Sequence, residues 1–434
     1  MQRSIIAPAE RVTNLRWGIA LLLGIGVLVN YFDRVNLTVA GPSLRHDFGL
    51  GDAAFGLLLS GFAWTYAVLQ IPIGAILDRF GVVVVGRWSA FLWSIASALS
   101  ALTPVRLGFE WLFGTRLLLG IAETPTFPIN AKATGYWFPT KERALATAMF
   151  DGSAKLATGI GVPIVAAILT AYGWRSTFAF TAVLSFLFFL AFLIFYRNPS
   201  EDKRLTVAER RYIAEGGAQP EGRAAAAAGG LGYLLRQPKV WGLTIAFAAY
   251  DYAFYLFLTW LPGYLVQTYH LSVLHSGWYA SGPWIVAAIV DFAVGGWLID
   301  TLVQRGADPS VVRRNVVVIG MILGLAVAGA TTTRDPLIAV IWITISLAGL
   351  AAAAPVFWSL PSLLAPRGTV GQLGGIMNFF GNVMAIVAPI VTGFIAQGTG
   401  AFTNAFILAA VILIIGIAAY LTTLRRLDPI PDPA

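Results

Sequence analysis

Two ionisable residues, Arg116 and Glu123, interrupt one of the long apolar stretches of this sequence. They are about two helical turns apart, so a helix would place both side chains on one face, roughly 10 Å from each other. A guanidinium can hold a carboxylate through two parallel hydrogen bonds, and a carboxyl group removed from water is protonated more readily than one in solution. The pair therefore predicts anion binding coupled to protonation. A fixed ion pair between helices is the alternative interpretation, and one pair can serve both purposes.

Two further pairs of charges lie in other apolar stretches. Asp33 and Arg34 are adjacent, so on a helix their side chains diverge by about 100° and cannot pair. We interpret them as functional, because a charge is costly wherever water is excluded; the alternative is that they mark the end of a helix at a water interface. Asp151 and Lys155 have the i,i+4 spacing, acid first, of a favourable internal ion pair. This second pair either neutralises itself or extends a positive pocket for a second anionic group.

The stretches that carry these charges are long enough to cross a membrane. Of the 434 residues, 58% are hydrophobic and 12% are charged, whereas soluble domains carry about 25% charged residues. Apolar runs of about 20 residues, enough to cross a hydrocarbon core of about 30 Å, recur about twelve times. In lipid only helices and closed barrels satisfy the backbone, and the continuous apolar run at residues 178–196 is atypical of barrel strands. We predict an all-α membrane protein with twelve transmembrane helices.

A polar segment at residues 197–239 divides the apolar runs into two sets of six. We predict two six-helix bundles, at residues 1–196 and 240–434, joined by a solvated linker that contains some interfacial helix. If the amino terminus is cytoplasmic, 22 of the 29 Lys and Arg residues fall in cytoplasmic segments, as the positive-inside rule requires. Both termini and the linker are therefore predicted to be cytoplasmic. The net charge of +8 then reflects topology and does not indicate nucleic-acid binding.

Composition also excludes several kinds of chemistry. There is no cysteine, so disulfides, iron–sulfur clusters and thiolate nucleophiles are excluded. The three histidines form no metal-ligand pattern. No G-x-x-x-x-G-K-[ST] phosphate-binding loop occurs, so ATP-driven transport is not expected. We predict that the protein is not an enzyme, needs no cofactor or metal, and draws its energy from an ion gradient.

The two predicted bundles repeat one another in sequence. Gly74 and Asp78 close the second span with the pattern that Gly296 and Asp300 repeat at the end of the eighth. Pro163 in span five and Pro389 in span eleven are separated by nearly the same interval, about half of the chain. A duplicated six-helix unit is therefore predicted. Parallel repeats of this kind build transporters whose substrate site lies between the halves, near the bilayer midplane.

Several motifs resemble those of a known family. The sequence GAILDRFG at residues 74–81 resembles the G-x-x-x-D-R-x-G signature of the major facilitator superfamily, in its expected place between spans two and three. YFDRVNL at 31–37, WLPGYL at 260–265 and NFFGN at 378–382 resemble the anion:cation symporter family within it. That family includes bacterial sugar-acid symporters and the animal sialic-acid and vesicular glutamate carriers. The likeness covers nearly the whole chain outside the linker.

The resemblance implies roles for individual residues. The acids matching Asp33 and Glu123 are proton-coupling groups, and the arginines matching Arg34 or Arg116 hold a substrate carboxylate or gate the path. The side chains implied to face the pocket are Tyr31, Tyr66, Trp358 and Asn378. The gating motif comprises Gly74, Asp78, Arg79 and Asp300. We therefore expect a monomer that imports a small organic anion with protons across the inner membrane of a bacterial-type cell.

The sequence also departs from the family pattern. Sugar-acid carriers often have a glutamine where this chain has Ala154, beside Lys155. We therefore count Lys155 among the candidate substrate-binding residues and expect a compact, doubly charged or aromatic anion. Asp251 and Asp291 lie outside the pattern; by analogy with the fold, Lys155 would pair with Asp291 across the two halves. The alternatives are a proton-driven exporter of drugs or metabolites, with a larger and less cationic cavity, a sodium-coupled anion carrier, and a solute sensor.

Overall fold

The computed structural model describes residues 13–139, 142–219, 221, 231–366 and 369–432. The regular secondary structure of these residues is all helical, joined by turns and short irregular segments. The N-terminal helices are α1 (Leu15–Phe48), α2 (Asp52–Ala101), α3 (Gly108–Glu123), α4 (Thr126–Trp137), α5 (Arg143–Tyr172) and α6 (Trp174–Phe195). The linker contains α7 (Val207–Glu215) and α8 (Leu231–Leu234). The C-terminal helices are α9 (Pro238–Tyr269), α10 (Val273–Val290), α11 (Ile299–Gln304), α12 (Pro309–Gly324), α13 (Pro336–Leu364), α14 (Val370–Thr399) and α15 (Thr403–Thr423).

Eleven segments of the described chain are long and apolar enough to cross a membrane. The long helix α2 contains two of them, Asp52–Gln70 and Arg79–Ala101. The helix is kinked at Gly81, near the start of the second segment. The backbone of Gly81 has φ 77°, a conformation that glycine adopts without the steric cost of a Cβ. One more crossing, the fourth along the chain, consists of α3 and α4 in succession. These helices are 16 and 12 residues long, and each is too short to span the membrane alone. The predicted twelve-helix fold is confirmed, although the fourth crossing is not one continuous helix.

The break in the fourth crossing follows Glu123 directly. Pro125 separates α3 from α4, and a proline has no N–H to continue the helical hydrogen-bond pattern. The last helical hydrogen bond of α3 runs from the backbone N–H of Thr124 to the Gly120 carbonyl, at 3.1 Å, and the Thr124 hydroxyl donates to the same carbonyl at 2.6 Å. The break places the carboxylate of Glu123 at a helix end in the middle of the bundle.

Part of the linker is held against the N-terminal helices. Glu209 on α7 is completely buried, and its carboxylate accepts a hydrogen bond from Arg16 at 2.9 Å and another from Thr13. Burial opposes ionisation of Asp202, but the side chain and backbone of Arg204 donate hydrogen bonds to it and lower the pKa of Asp202 below its ordinary value. The prediction of a solvated linker is therefore wrong for these residues. Ion pairing with a cation at the start of α1 compensates the charge that burial would otherwise penalise.

The N-terminal and C-terminal helices meet at the end where α1 ends and α2 begins, here called the short-loop end. Gly56 of α2 lies against the backbone carbonyl of Pro389 of α14, with no room for a side-chain atom. The backbone N–H of Ala53 donates to the Gln397 side chain at 2.9 Å. Small residues allow helices in a membrane to approach this closely. The centre of the molecule is therefore covered on the short-loop side by direct contact between α2 and α14.

We expect Gly56→Ala to open the short-loop end, because the added methyl group would occupy the position of the Pro389 carbonyl oxygen. Spin labels at His46→Cys and Thr399→Cys, both exposed and on opposite helix sets, report the separation, and the chain has no native cysteine to label. The distance should shift to longer values. Gly114→Ala on α3, where a Cβ meets nothing within 4 Å, is the matched control. An unchanged distance in Gly56→Ala would contradict the prediction.

Candidate substrate site between the helix sets

A cavity of about 630 Å³, part of it open to solvent, lies between the N-terminal and C-terminal helices. Helices α1, α2, α4 and α5 line one side, and α9, α13 and α14 line the other. Residues that are far apart in the sequence therefore line the same cavity. Six of the predicted site residues line this cavity: Tyr31, Arg34, Tyr66, Lys155, Trp358 and Asn378.

Arg34 is the cation best placed to receive an anion in the cavity. Its guanidinium lies 4.7 Å from the ring of Tyr31, 4.4 Å from that of Phe62 and 5.4 Å from that of Tyr66. Nη1 donates to the Tyr255 hydroxyl at 3.5 Å. Nε and Nη2 are buried and have no hydrogen-bond acceptor within the described part of the chain. Aromatic rings hold the guanidinium in place, while two of its nitrogens keep their capacity to donate.

Glu123 is the partner of Arg34 across α3 and α1. Its Oε2 lies 3.7 Å from Arg34 Nη2, and its side chain has no exposed surface. Neither carboxylate oxygen accepts a hydrogen bond from any residue that the structure describes. A buried charge without hydrogen bonds is costly. Glu123 is therefore balanced by one long ion pair, with Arg116 acting at longer range, and its protonation would leave Arg34 without its counter-ion.

Asp33 has different surroundings, although it too is completely buried. The indole of Trp93 donates to Oδ2 at 2.5 Å, Ser185 donates to the same oxygen at 3.1 Å, and Ser97 donates to Oδ1 at 2.9 Å. These donors come from α2 and α6, on the far side of α1 from the cavity. Asp33 and Arg34 therefore point in different directions, as predicted for adjacent residues on a helix.

Arg116 lies outside the lining of the main cavity. Its Nη1 donates to the backbone carbonyl of Asp33 at 3.2 Å, and its guanidinium lies 5.4 Å from the ring of Phe178. It borders a second chamber of about 440 Å³ that Arg34 also lines. Glu123 forms an ion pair between helices, as the alternative interpretation held, but its partner is Arg34 of α1 and not Arg116. The chamber leaves Arg116 within reach of the same central space.

Lys155 carries the second cluster of charges. Its Nζ lies 2.8 Å from Asp151 on the same helix and 2.5 Å from Asp291 at the end of α10. Both predicted pairings of Lys155 are therefore confirmed. Asp291 begins a π-helix, Asp291–Leu298. Asp251 of α9 also lines the cavity, and its carboxylate lies against the backbone of Gly381.

Several residues that line the cavity were not predicted from the sequence. The face of α9 contributes Phe247, Tyr250 and Phe254, whose spacing of three and four residues puts them on one side of a helix. That spacing could have been read from the sequence, but aromatic residues at helical spacing are common in membrane helices and do not indicate a cavity by themselves. Phe127 and Asn382 also line the site; Asn382 closes the NFFGN motif but was not predicted to face the cavity, and Phe127 had no signal in the sequence.

Comparison with known proteins identifies the family. Residues 23–389 match the family model described as Major Facilitator Superfamily. The chain belongs to the Major Facilitator Superfamily. It is therefore a multi-pass membrane protein of a transporter family, and the prediction that it is not an enzyme agrees with this membership.

Similar superfamily members share almost the full length of the chain. The "Uncharacterized transporter YybO" of Bacillus subtilis (strain 168) is 37% identical over 417 residues, covering 96% of this chain and 95% of that protein. The "Probable galactarate/D-glucarate transporter GudP" of Escherichia coli (strain K12) is 32% identical over 431 residues, covering 96% and 94%. A solved bacterial homolog of the human lysosomal transporter Spinster, in an inward-facing and occupied conformation, superposes with a TM-score of 0.74. Its identity is 17%, over 95% of this chain and 97% of that chain, so this likeness concerns the fold alone.

The superfamily signature lies at the kink of α2. Gly81, its last residue, supplies the positive φ at the kink, and Gly74 is exposed. Arg79 is also exposed, with its guanidinium 5.3 Å from the ring of Phe80. The side chains of Asp78 and Asp300 lie outside the described residues. Their predicted gating role stays a prediction.

Proposed function

We propose that this protein imports a small organic anion together with protons. The observation that carries the proposal is the 3.7 Å pairing of Arg34 with Glu123 at the edge of the cavity. Arg34 faces the cavity with unused donors, and the carboxylate beside it has no hydrogen bonds among the described residues. A substrate carboxylate can take the place of Glu123 on Arg34 once Glu123 is neutral.

The balance of charge at the centre supports coupling to protons. Eight ionisable side chains line or closely surround the two chambers, three cationic and five acidic: Arg34, Arg116, Lys155, Asp33, Glu123, Asp151, Asp251 and Asp291. With all of them ionised, the centre carries an excess of two negative charges. An additional anion is repelled in such a site, because the low dielectric strengthens like-charge repulsion. Proton uptake removes that repulsion, which makes anion binding depend on protonation.

The dependence of anion binding on protonation suggests a transport cycle. Protonation of Glu123 breaks its ion pair and exposes Arg34 to the substrate carboxylate, with Arg116 as a second cation bordering the adjoining chamber. Asp33 is our other candidate for a proton-coupling acid. With Arg34 occupied and Glu123 neutral, the centre has the same net charge as the empty, fully ionised state, so the anion is accommodated without added repulsion and the two helix sets can close around it. Release of the proton on the other side restores the Arg34–Glu123 pair and expels the anion. Tyr31, Tyr66, Trp358 and Asn378 would then contact the body of the substrate.

Topology supports import through an inner membrane. We propose cytoplasmic termini and linker, two bundles at residues 1–196 and 240–434, and a functional monomer. The short-loop end is then external, and contact there between α2 and α14 corresponds to an inward-facing state. Asp78, Arg79 and Asp300, together with Gly74, would control the cytoplasmic opening.

The substrate class follows from the relatives and from the lining. The printed name of one relative specifies galactarate and D-glucarate, both of which are sugar dicarboxylates, so sugar acids are our first candidates. More than half of the residues that line the cavity are aromatic, and this favours an aromatic carboxylate as a second candidate. Both classes carry the carboxylate that Arg34 requires.

A thermal-shift screen of the purified protein tests the proposal. The panel contains aldarates, aldonates, uronates, aliphatic dicarboxylates, aromatic carboxylates and sulfonates at pH 5.5 and 7.5, with and without sodium. A ligand at 100 times its Kd stabilises the folded protein by about 2.7 kcal/mol. We expect the melting temperature to rise with a carboxylate, and more at pH 5.5. A response to cationic drugs alone would indicate an exporter, and a response that requires sodium at both pH values would indicate sodium coupling.

A further inference from the structure

The ammonium of Lys155 is shared by the two helix sets. Asp151 binds it from the preceding turn of α5, at 2.8 Å, and Asp291 binds it from the C-terminal helices, at 2.5 Å. The side chains of Lys155 and Asp291 are only 5% and 6% exposed, yet Lys155 lines the cavity. One buried cation therefore faces the substrate space while an acid from each side holds it.

We propose that, in addition to Asp33 and Glu123, Asp291 is a proton-coupling carboxylate, which competes with the substrate anion for Lys155 and joins the two helix sets when it is ionised. This inference rests on the proposed function and extends it. Glu123 and Arg34 belong to the N-terminal helices, whereas the Lys155–Asp291 pair links opposite sets. Asp291 thus couples protonation to contact between the sets as well as to anion binding.

Charge balance within the cluster requires such a step. Two carboxylates and one ammonium carry one net negative charge. A substrate carboxylate placed against Lys155 would raise this to two negative charges in a buried site, where like charges repel strongly. A proton on one of the two aspartates returns the loaded cluster to its original net charge.

Asp291 is better placed than Asp151 to take that proton. Asp151 is fixed four residues before Lys155 on one helix, so its pairing persists whatever the helix sets do. Its side chain is 19% exposed and lines the cavity, where water can solvate it. Asp291 is nearly buried, and its Oδ2 has no hydrogen bond from the described residues beyond the ion pair itself. Loss of the Asp291 charge would therefore break the bridge and free one side of Lys155.

Among the described residues, Lys155 is the cation that pairs with Asp291. Helix α13 packs against the π-helix and contains no titratable residue between Pro336 and Leu364. Helix α10 has two titratable residues, His275 and Tyr279, both in the half of the helix distant from Asp291. The described side chains that interact electrostatically with Asp291 include Asp151, Lys155 and Tyr250. Asp251 acts on the same ammonium from α9.

The backbone at Asp291 is unusual as well. The π-helix Asp291–Leu298 starts at this residue, and such wide turns are frequent at functional sites. The ring of Phe292 packs on Gly152 of α5, where a Cβ would not fit. The segment that carries Asp291 is therefore in direct contact with the helix that carries Lys155, one turn from the ion pair.

The test measures how pH changes the separation of α5 from the π-helix, without any ligand. Spin labels are placed at Leu145→Cys and Trp297→Cys, two exposed positions in a chain that has no other cysteine. We expect the distance to change between pH 7.5 and pH 5.5 in the otherwise unmodified protein. Asp291→Asn, which mimics the protonated acid, should show the low-pH distance at both pH values. Asp151→Asn should keep the pH response.

Two other results would overturn the proposal. They are a full pH response in Asp291→Asn, and no response in the unmodified protein. Lys155→Gln breaks the same bridge from its other side and should also remove the response, which guards against a folding defect specific to Asp291→Asn. If Asp151→Asn loses the response while Asp291→Asn keeps it, the proton binds Asp151 and the proposal is rejected.

An anion-binding arm separates this inference from the proposed function. With D-glucarate as probe, a binding event that requires one proton changes Kd by about tenfold per pH unit. We expect Asp291→Asn to remove one such factor from the pH dependence of Kd. An unchanged pH dependence would contradict competition for Lys155. If the unmodified protein binds no carboxylate of the panel, the proposed function fails, and the distance measurement still decides whether Asp291 links the helix sets.

Discussion

Replacing Glu123 with glutamine should abolish uphill, proton-driven uptake of the anion while exchange of anion for anion continues. Glutamine has the shape of the protonated acid but cannot restore the ion pair with Arg34 when the carrier is empty. Removing one partner of a buried ion pair costs about 3–5 kcal/mol, so return of the empty carrier should slow by more than about 100-fold. Exchange needs only the loaded carrier. Uptake and counterflow in proteoliposomes with an imposed pH gradient measure the two modes separately.

The matched control for this variant is Glu110→Gln. Glu110 lies on the same helix, in its first turn, and is exposed, so the same change of charge there should leave driven uptake intact. Full driven uptake by Glu123→Gln would show that Glu123 does not couple transport to protons. Loss of both uptake and counterflow would show that Glu123 is required for binding or folding.

Replacing Arg34 with alanine should remove most of the affinity for the anion. The guanidinium lines the main cavity, with Nε and Nη2 available for a carboxylate. Truncating one partner of a buried, hydrogen-bonded charge pair costs about 2–5 kcal/mol, which corresponds to at least about a 30-fold rise in Kd. Isothermal titration with the carboxylate that gives the largest thermal shift measures this change. Arg34→Lys should recover part of the affinity, since a single ammonium replaces a two-donor fork.

Arg116→Ala is the informative comparison for Arg34. Both arginines are implied by the resemblance to bind substrate, but Arg116 faces the second chamber and the backbone of Asp33. We expect a smaller loss of affinity in Arg116→Ala than in Arg34→Ala. If the order is reversed, the second chamber is where the anion binds, and Arg34 serves mainly to hold Glu123.

Much of the architecture could be predicted from the order of residue types. Each crossing has to satisfy its own backbone hydrogen bonds, so a run of apolar residues is sufficient to predict a helix. The cost of charge in lipid also made Asp33, Arg34, Arg116, Glu123 and Lys155 stand out. The Asp151–Lys155 pair was predictable for the same local reason, since its spacing alone brings the two side chains together.

The partners of the other charges depended on how the helices pack. Glu123 faces Arg34 rather than Arg116 because the end of α3, next to the break at Pro125, brings this carboxylate to Arg34 of α1. The Asp33 carboxylate lies on the side of α1 away from the cavity, where α2 and α6 supply its three hydrogen-bond donors. No local pattern encodes such contacts, since they depend on helix rotation and tilt.

The same distinction explains the aromatic cavity wall and the docked linker. The aromatic spacing on α9 is visible in the sequence, but the fact that this face borders a cavity follows from the positions of α1, α5 and α14. The polar composition of residues 197–239 suggested solvation, whereas Glu209 is buried by its ion pair with Arg16. Composition and periodicity determine which segments cross the membrane, because lipid acts on each helix separately. Which charges meet is determined by packing, because those energies arise between helices that are distant in the chain.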